Sequence, residues 1–227
     1  MPVFLEALFG PTDRVVVAQL LQDGTWQNHP LALQEAIKWA LANQETPNIY
    51  FRASSHDGSR GYGEQNCCHA GAFLIDIDYG KVGHRGRTPF GTLDDVMGYL
   101  LTLPVRPSIC WHTGHGVQAA FLLDQPACFY PGGGTAETLL RYRTIGSCLS
   151  SMVMGDSTFT AEHAFRIPGT INRKSHLDPT IPDVTGQPLW FHPNKRYTLD
   201  EIEQACGQRQ LLFPLTTTTL THCHECV

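Results

Sequence analysis

The sequence contains no run of about 18 consecutive apolar residues, the length that a membrane-spanning helix requires. Its first residues, MPVFLEALFGPTDR, lack the basic segment followed by an apolar segment that is typical of a secretory signal. We therefore expect a soluble, cytoplasmic protein without a membrane partner. The sequence also lacks a GxxxxGK[ST] motif, which excludes a helicase motor of that type in this chain.

Basic residues are scarce. The chain has 16 Lys and Arg against 21 Asp and Glu, and its formal net charge is -5. This balance disfavours a broad basic surface that contacts many phosphates, but it permits a local basic cleft. Cationic residues cluster in two places, with Lys81, Arg85 and Arg87 in one and Arg173 and Lys174 in the other.

The eight cysteines are too dilute in 227 residues to suggest a disulfide framework, so we expect reduced thiols.

Two Cys/His groups raise the question of zinc binding. Cys67, Cys68 and His69 form one group, for which a loop or core role is favoured. The other, residues 222–226, is too crowded for one tetrahedral site. It is either a disordered end or the beginning of a metal site completed downstream.

Hydrophobic periodicity and capping residues predict helices over 31–43, 92–102 and 135–152 and from residue 198 onward. Strands are expected over 48–54 and 72–80, over 108–112 and 117–123 as a hairpin, and near residue 165. This mixture predicts an α/β or α+β fold with a partly antiparallel sheet. We expect one catalytic domain over 1–207, followed by a low-complexity tail over 208–227 that is a linker or the start of a further region.

The segment AFLIDIDYG places two aspartates at the end of a strand that should be buried. Side chains two residues apart on a strand share a face, so Asp76 and Asp78 stand about 7 Å apart. Two carboxylates in this arrangement repel each other unless a cation lies between them. The pair therefore favours a divalent metal site.

A third acid, Asp156, follows a glycine at the end of a predicted helix. It is either an N-cap of the next element or a third metal ligand. Three carboxylates would suit hard cations such as Mg²⁺ or Mn²⁺, which keep open positions for substrate phosphates.

The predicted hairpin turns on the sequence HTGHG, in which glycines allow backbone N–H groups to approach a phosphate closely. Thr113, His115 and Gln118 offer further hydrogen-bond donors around Gly116. A zinc site at His112 and His115 is disfavoured, because no carboxylate or thiol pair accompanies them.

The segment FRIPGTINRKS is the third candidate site segment. Arg166, Asn172, Arg173 and Lys174 form either a solvated turn or a cationic loop facing the phosphates of a nucleoside triphosphate.

Four segments have the order and spacing found in the archaeo-eukaryotic primase superfamily. They are FLIDIDYG, WHTGHGVQAAFLL, the pair Gly155-Asp156 and FRIPGTINRKS. The chain resembles in particular the primase-polymerase domains of phages and plasmids, over roughly residues 48–176. The pattern R-x-P-G-T-x-N-x-K is the most specific part of the likeness. The resemblance implies a split catalytic core with an RNA-recognition-motif-like sheet. It also implies primer synthesis on single-stranded DNA from nucleoside triphosphates, two Mg²⁺ or Mn²⁺ ions, and a replicative helicase as a partner in cis or in trans.

Transferred residue by residue, the resemblance implies that Asp76, Asp78 and Asp156 are catalytic metal ligands. Nucleotide contacts would come from the turn and from the cationic loop, namely Thr113, His115, Gly116, Gln118, Arg166, Asn172 and Lys174. Many family members have histidine where this chain has Gln118. This departure leaves open which group touches the triphosphate, and His112 and His115 are both candidates.

Three other functions remain as alternatives. A catalytically inert nucleic-acid-binding replication module would be expected to lack one of the acids. A glycosyltransferase would use the Asp-x-Asp pair to bind a nucleotide sugar, but it would give no reason for the R-x-P-G-T-x-N-x-K pattern. A rolling-circle initiator would need a His-hydrophobe-His motif and a catalytic tyrosine, and HTGH does not supply them.

Overall fold

The computed structural model describes residues 2–81, 88–175 and 177–212. Arg85, Arg87 and the Cys/His tail lie outside the described residues. The helices are α1 (Pro2–Leu8), α2 (Leu33–Ala42), α3 (Leu93–Thr102), α4 (Ala136–Val153) and α5 (Leu199–Leu212). The strands are β1 (Arg14–Leu20), β2 (Trp26–Ala32), β3 (Ile49–Ser55), β4 (His69–Asp78), β5 (Ile109–His112), β6 (Gly116–Cys128), β7 (Ala164–Arg166), β8 (Ile171–Asn172), β9 (Val184–Thr185) and β10 (Gln187–Phe191).

Two four-stranded sheets dominate the described part of the chain. The first sheet has the order β2-β1-β3-β7, and the second has the order β10-β5-β6-β4. Strands β8 and β9 form a separate pair. Every pairing between these strands is antiparallel, including the predicted hairpin of β5 and β6. The expected mixed α+β class with antiparallel strands is confirmed.

Alternate residues of β4 face two different hydrophobic clusters. Ile75 and Ile77 pack in one cluster with α3, α4 and α5. Leu74 points the other way and packs in a second cluster with α1, α2 and the first sheet. Because both faces of the second sheet are covered, most of β4 is apolar. Asp76 and Asp78 follow Leu74 in the same row, so they stand where the second cluster ends.

Side-chain caps are present at three helices, and those at Thr92 and Thr198 were predicted from the sequence. Thr92 Oγ1 accepts a hydrogen bond from Asp95 N, and Thr92 N donates to the Asp95 carboxylate, which completes a capping box. Thr135 caps α4 through its hydroxyl. Thr198 and Glu201 form the same reciprocal pair before α5. These local hydrogen bonds satisfy backbone N–H groups that a helix start leaves open.

Helix α5 continues to Leu212, five residues beyond the expected boundary at residue 207. Among the described residues, none of the helices combines the length and the apolar character needed to cross a membrane.

The sequence patterns predicted no element before residue 31, where the structure contains α1, β1 and β2. The helix expected over 31–43 begins at Leu33, because Leu31 and Ala32 complete β2. Strand β2 escaped prediction because it is polar, half-exposed and interrupted by Pro30. It lies at the edge of the first sheet, where a missing N–H is tolerated. Pro188 in β10, an edge strand of the second sheet, masked that strand in the same way.

The described cysteines are all free thiols. Cys67 is buried. His69 Nε2 lies 2.7 Å from Asp13 Oδ1, which places this histidine beside a carboxylate rather than in a cysteine cluster.

Candidate active site

Strand register places the two aspartates of β4 opposite the start of β6. Asp76 pairs with Gln118 and Asp78 with Gly116. A Cβ atom at residue 116 would lie 3.2 Å from Asp78 Oδ1 and 3.5 Å from Asp76 Oδ1. Glycine at this position therefore leaves the space in front of both carboxylates open.

Asp76 is held in an electrostatically unfavourable position. Burial, with the negative charge of Asp78 as the next largest cause and that of Asp156 as a smaller one, raises the pKa of Asp76 to about 7. Its Oδ2 accepts a hydrogen bond from Gln118 Nε2 at 3.3 Å. Its buried Oδ1 has no hydrogen-bond partner among the described residues. A buried carboxylate oxygen without a partner, next to a second carboxylate, fits a site for a cation.

Asp156 lies next to this pair. Its backbone N–H donates to the carbonyl oxygen of Asp76 at 2.8 Å, and Ser150 Oγ donates to its own carbonyl oxygen at 2.6 Å. A Cβ at Gly155 would come within 2.7 Å of Asp76 O, so only glycine permits the close approach. Asp156 as a whole residue is exposed. The element that follows is β7 and not a helix, so the N-cap interpretation of Asp156 is wrong.

In the part of the chain that the structure describes, no three His, Cys, Asp or Glu side chains converge closely enough to form a metal cage. The three carboxylates predicted to hold the metals, Asp76, Asp78 and Asp156, therefore do not form such a group in the described structure. Mg²⁺ is often bound by only one or two carboxylates together with water and substrate phosphates. The open space at Gly116 and the unpaired oxygen of Asp76 fit such a partly open site.

The turn between β5 and β6 is tightly organised. Gly114 has a φ of 101°, a conformation that glycine adopts without strain. Thr113 Oγ1 donates to Gly116 O at 3.1 Å, so its hydroxyl hydrogen is used within the turn. Asn172 Nδ2 donates to Thr113 O at 2.6 Å and ties β8 to the turn. His115 is buried and lines the pocket described below.

Gln118 connects the two sheets. Its Nε2 donates to Asp76 in the second sheet, and its Oε1 accepts from Arg166 N in the first sheet at 3.0 Å. Both ends of the amide are therefore engaged, and the residue is only 4% exposed. An amide is suited to this position because it donates and accepts at once.

Arg166 is buried and fixed by partners far away in the sequence. Its guanidinium donates to Asn48 Oδ1 at 3.2 Å and to the hydroxyl of Tyr50 at 2.6 Å. It also lies 4.6 Å from the centroid of the Tyr50 ring. Burial lowers the pKa of Arg166. The cation is thus held in one orientation before any ligand arrives.

Lys174 is the second cation of the site, and it is half-buried. Burial lowers its pKa, while the charges of Asp78 and Asp76 act in the opposite direction. Its neighbour Arg173 forms an ion pair with Asp183, with Nε and Oδ2 2.9 Å apart, and does not line the pocket. The cationic loop therefore divides into one residue that faces the carboxylates and one that stabilises the loop.

These residues surround one pocket of about 470 Å³. The candidate residues that do not line it are Asp156, Arg173 and His112, and the other site residues predicted from the sequence do. The ring of His112 is hydrogen-bonded to the hydroxyl of Tyr79 instead. The lining residues that sequence reasoning missed are Trp26, Tyr50, Arg52, Glu162, His163 and Ala164. Alternation along NIYFRAS could have identified Tyr50 and Arg52, because their neighbours on both sides are apolar. Nothing in the local sequence indicated Trp26.

No family model matches the sequence, and neither does any curated protein. Solved structures do resemble the chain. The AEP domain of the primase-polymerase of cyanophage S-2L has a TM-score of 0.56 at 13% identity, over 86% of this chain and 89% of that chain. The primase RepB' has a TM-score of 0.54 at 18% identity, over 92% of this chain and 61% of that one. The catalytic domain of RepB' in complex with initiator DNA has a TM-score of 0.51 at 17% identity, over 90% and 91%. The chain therefore has the fold of primase catalytic domains.

Proposed function

We propose that this chain is a nucleotidyltransferase that synthesises primers on single-stranded DNA from nucleoside triphosphates, as a primase or primase-polymerase of a phage or mobile element. One observation supports this most directly. A single pocket holds a carboxylate pair, Asp76 and Asp78, facing two cations, Arg166 and Lys174. Carboxylates are ligands for the divalent ions that accompany a triphosphate, and cationic side chains pair with the phosphate oxygens themselves.

The donor set fits two divalent ions, Mg²⁺ or Mn²⁺. Asp76 and Asp78 would hold them together with Asp156, whose backbone is joined to Asp76. When bound, such ions activate the attacking hydroxyl and neutralise charge on the departing pyrophosphate. In this proposal the chain itself needs no nucleophile.

The remaining residues position the substrate. Lys174 and Arg166 donate hydrogen bonds to the triphosphate, and Arg166 is already oriented by Asn48 and Tyr50. Gln118 holds the Asp76 carboxylate in place through Nε2. Backbone N–H groups of the glycine turn and the ring of His115 complete the phosphate-facing wall.

The partners belong to the same proposal. Single-stranded DNA is supported as the template by the resemblance to a primase catalytic domain in complex with initiator DNA. Because this chain has no P-loop motif, a replicative helicase would be supplied by another region or another protein.

The test is a priming assay with purified protein, single-stranded DNA, Mg²⁺ or Mn²⁺ and labelled nucleoside triphosphates. The wild type should make products without a supplied primer, and an Asp76→Ala, Asp78→Ala double variant should make none. Asp94→Ala, an acid on α3 outside the pocket, is the control and should remain active.

Other outcomes would change the proposal. Extension of a supplied primer alone would indicate a polymerase without priming activity. DNA binding without incorporation by the wild type would indicate an inert module. Transfer of a sugar from a nucleotide donor would indicate a glycosyltransferase. Either of the last two results overturns the proposal.

A further inference from the structure

One wall of the pocket consists of aromatic rings that the proposed chemistry does not use. Trp26, the first residue of β2, lines the same pocket as Asp76 and remains 38% exposed. The other three tryptophans of the chain, Trp39, Trp111 and Trp190, are buried or half-buried. An exposed indole in a polar, charged pocket indicates contact with a flat apolar ligand surface.

The position of Trp26 is fixed relative to Arg166, one of the two cations of the pocket. Its ring meets the ring of Tyr50 edge to face, with centroids 5.0 Å apart. The Tyr50 ring also lies under the guanidinium of Arg166, whose Cζ is 4.6 Å from the ring centroid. Two ring contacts thus join the exposed indole to the buried cation, and the distance between them is set by the folded protein.

A third side chain supports the same wall. The guanidinium of Arg52 donates to Asn28 Oδ1 at 3.1 Å and to Glu162 O at 2.6 Å, which holds it in the pocket lining beside Tyr50. A planar guanidinium that is already positioned stacks readily on an aromatic ring or a base. Trp26, Tyr50 and Arg52 therefore form a wall of planar groups, here called the aromatic wall.

A nucleoside triphosphate combines an anionic part and a planar part, and the pocket has groups that suit each of them. Its phosphates suit Arg166 and Lys174 and the ions that Asp76 and Asp78 would hold, and its base is a planar π-system that suits the aromatic wall of the same pocket. We infer that Trp26 stacks on the base of the incoming nucleotide, so that the aromatic wall is the base subsite. Because every base has a π-face, this contact holds all four bases and leaves their selection to the template. The inference rests on the proposed function, since it names the part of the pocket that holds the base.

Equilibrium binding separates the base from the phosphates. The probes are dATP and inorganic tripolyphosphate, each titrated by calorimetry with Mg²⁺ and without DNA. Trp26→Ala should weaken dATP binding by about 5- to 160-fold, the effect expected for one lost stacking contact. It should leave tripolyphosphate binding unchanged. Trp26→Phe should retain most of the dATP affinity, because a ring remains.

Leu140→Ala is the matched control, since Leu140 is an exposed apolar residue on α4 that does not line the pocket. It should bind both probes like the wild type. As a second readout, dATP should quench the tryptophan fluorescence of the wild type, and the quenching should disappear in Trp26→Phe.

Three results would overturn the inference: unchanged dATP binding in Trp26→Ala, an equal loss for both probes, or loss of single-stranded DNA binding while dATP binding persists. The last result would assign Trp26 to the template. A wild type that binds no dATP would overturn it as well. Failure of the proposed function gives a different result. A protein that binds dATP through Trp26 but incorporates no nucleotide would have the base subsite without nucleotidyltransferase activity.

Discussion

Asp76 combines burial, a neighbouring carboxylate and an oxygen without a hydrogen-bond partner among the described residues. In the folded protein its pKa is raised to about 7 from an ordinary value of 3.8. The folded state therefore binds this proton more tightly than the unfolded state does. The associated stability is fully present below about pH 4 and is lost as the pH rises through about 7.

This gives a prediction for the metal-free protein. With EDTA present, Asp76→Asn should be more stable than the wild type at pH 8, by on the order of 4 kcal/mol, and by only about 1 kcal/mol at pH 4.5. The reason is that the variant removes a buried charge that the wild type must keep at high pH. Urea unfolding of both proteins at the two pH values measures the difference.

Excess Mn²⁺ at pH 8 should raise the stability of the wild type more than that of Asp76→Asn, because a bound cation compensates the carboxylate. A stability difference that is the same at both pH values would contradict the electrostatic account of Asp76.

Gln118 is the second residue for which the structure predicts a measurable effect. Gln118→Met, a change of similar volume, leaves Asp76 Oδ2 and Arg166 N without the hydrogen bonds that the amide supplies. Unsatisfied buried groups of this kind cost about 1–3 kcal/mol in stability. We expect a loss in this range by chemical denaturation, accompanied by weaker activity because Asp76 is less well held.

Gln125→Met is the matched control for Gln118, since Gln125 is an exposed residue of the same strand, β6. It should change the free energy of unfolding by less than about 0.5 kcal/mol. Equal stability of the two variants would show that the link between the sheets through Gln118 contributes nothing.

At the scale of elements, the segment after α4 must lie directly against the edge of β4. Helix α4 ends at Val153, Met154 adopts a left-handed conformation with a φ of 56°, and Gly155 N donates to Ser150 O at 2.9 Å. This C-terminal arrangement turns the chain so that Asp156 N reaches the carbonyl of Asp76. The position of the third acid is therefore set by how a helix ends.

Gly155→Ala should separate Asp156 from Asp76. A Cβ at this position would lie 2.7 Å from Asp76 O and would also overlap the side chain of Ile75, so the segment must shift. Overpacking of this kind costs about 1–3 kcal/mol. We expect nucleotide incorporation to fall by at least about tenfold, an energy of about 1.4 kcal/mol, measured in the priming assay.

Gly98→Ala serves as the control, because a Cβ at Gly98 in α3 would meet no atom within 4 Å. Replacing this helical glycine should stabilise the protein by about 0.5–1 kcal/mol and leave activity unchanged. Full activity of Gly155→Ala would indicate that Asp156 does not need its place beside Asp76.

At the scale of the whole molecule, α5 completes the cluster that covers the outer face of the second sheet. Ile202, Ala205 and Cys206 are buried in that cluster. Arg141 of α4 forms ion pairs with Asp200 and Glu203 of α5, which are exposed and contribute little to stability. Hydrophobic burial is therefore the main contribution of this helix.

A chain that ends after Leu212 should fold, melt and bind dATP like the full chain. A chain that ends after Thr198 should lose several kcal/mol of stability, because it exposes the cluster that α5 covers. Thermal unfolding of the two truncations and the full chain tests this. If removal of residues 213–227 lowered the melting temperature, the tail would belong to the folded domain.

The sequence by itself determined the features that depend on neighbouring residues. The shared face of Asp76 and Asp78, the hairpin with its glycine turn, and the helix caps at Thr92 and Thr198 follow from strand alternation, turn chemistry and local hydrogen bonds. The cationic loop could also be predicted, because Arg166, Arg173 and Lys174 lie within nine residues of one another in the sequence.

Only the tertiary structure decided which distant residues meet in the pocket. Asp156 reaches Asp76 through a backbone hydrogen bond, Asn48 holds Arg166 from 118 positions away, and Trp26 joins the pocket from an edge strand. These contacts depend on how two sheets pack around one apolar cluster, which no local pattern encodes. The charges of the candidate site are therefore visible in the sequence, while their arrangement and the aromatic wall beside them arise from packing.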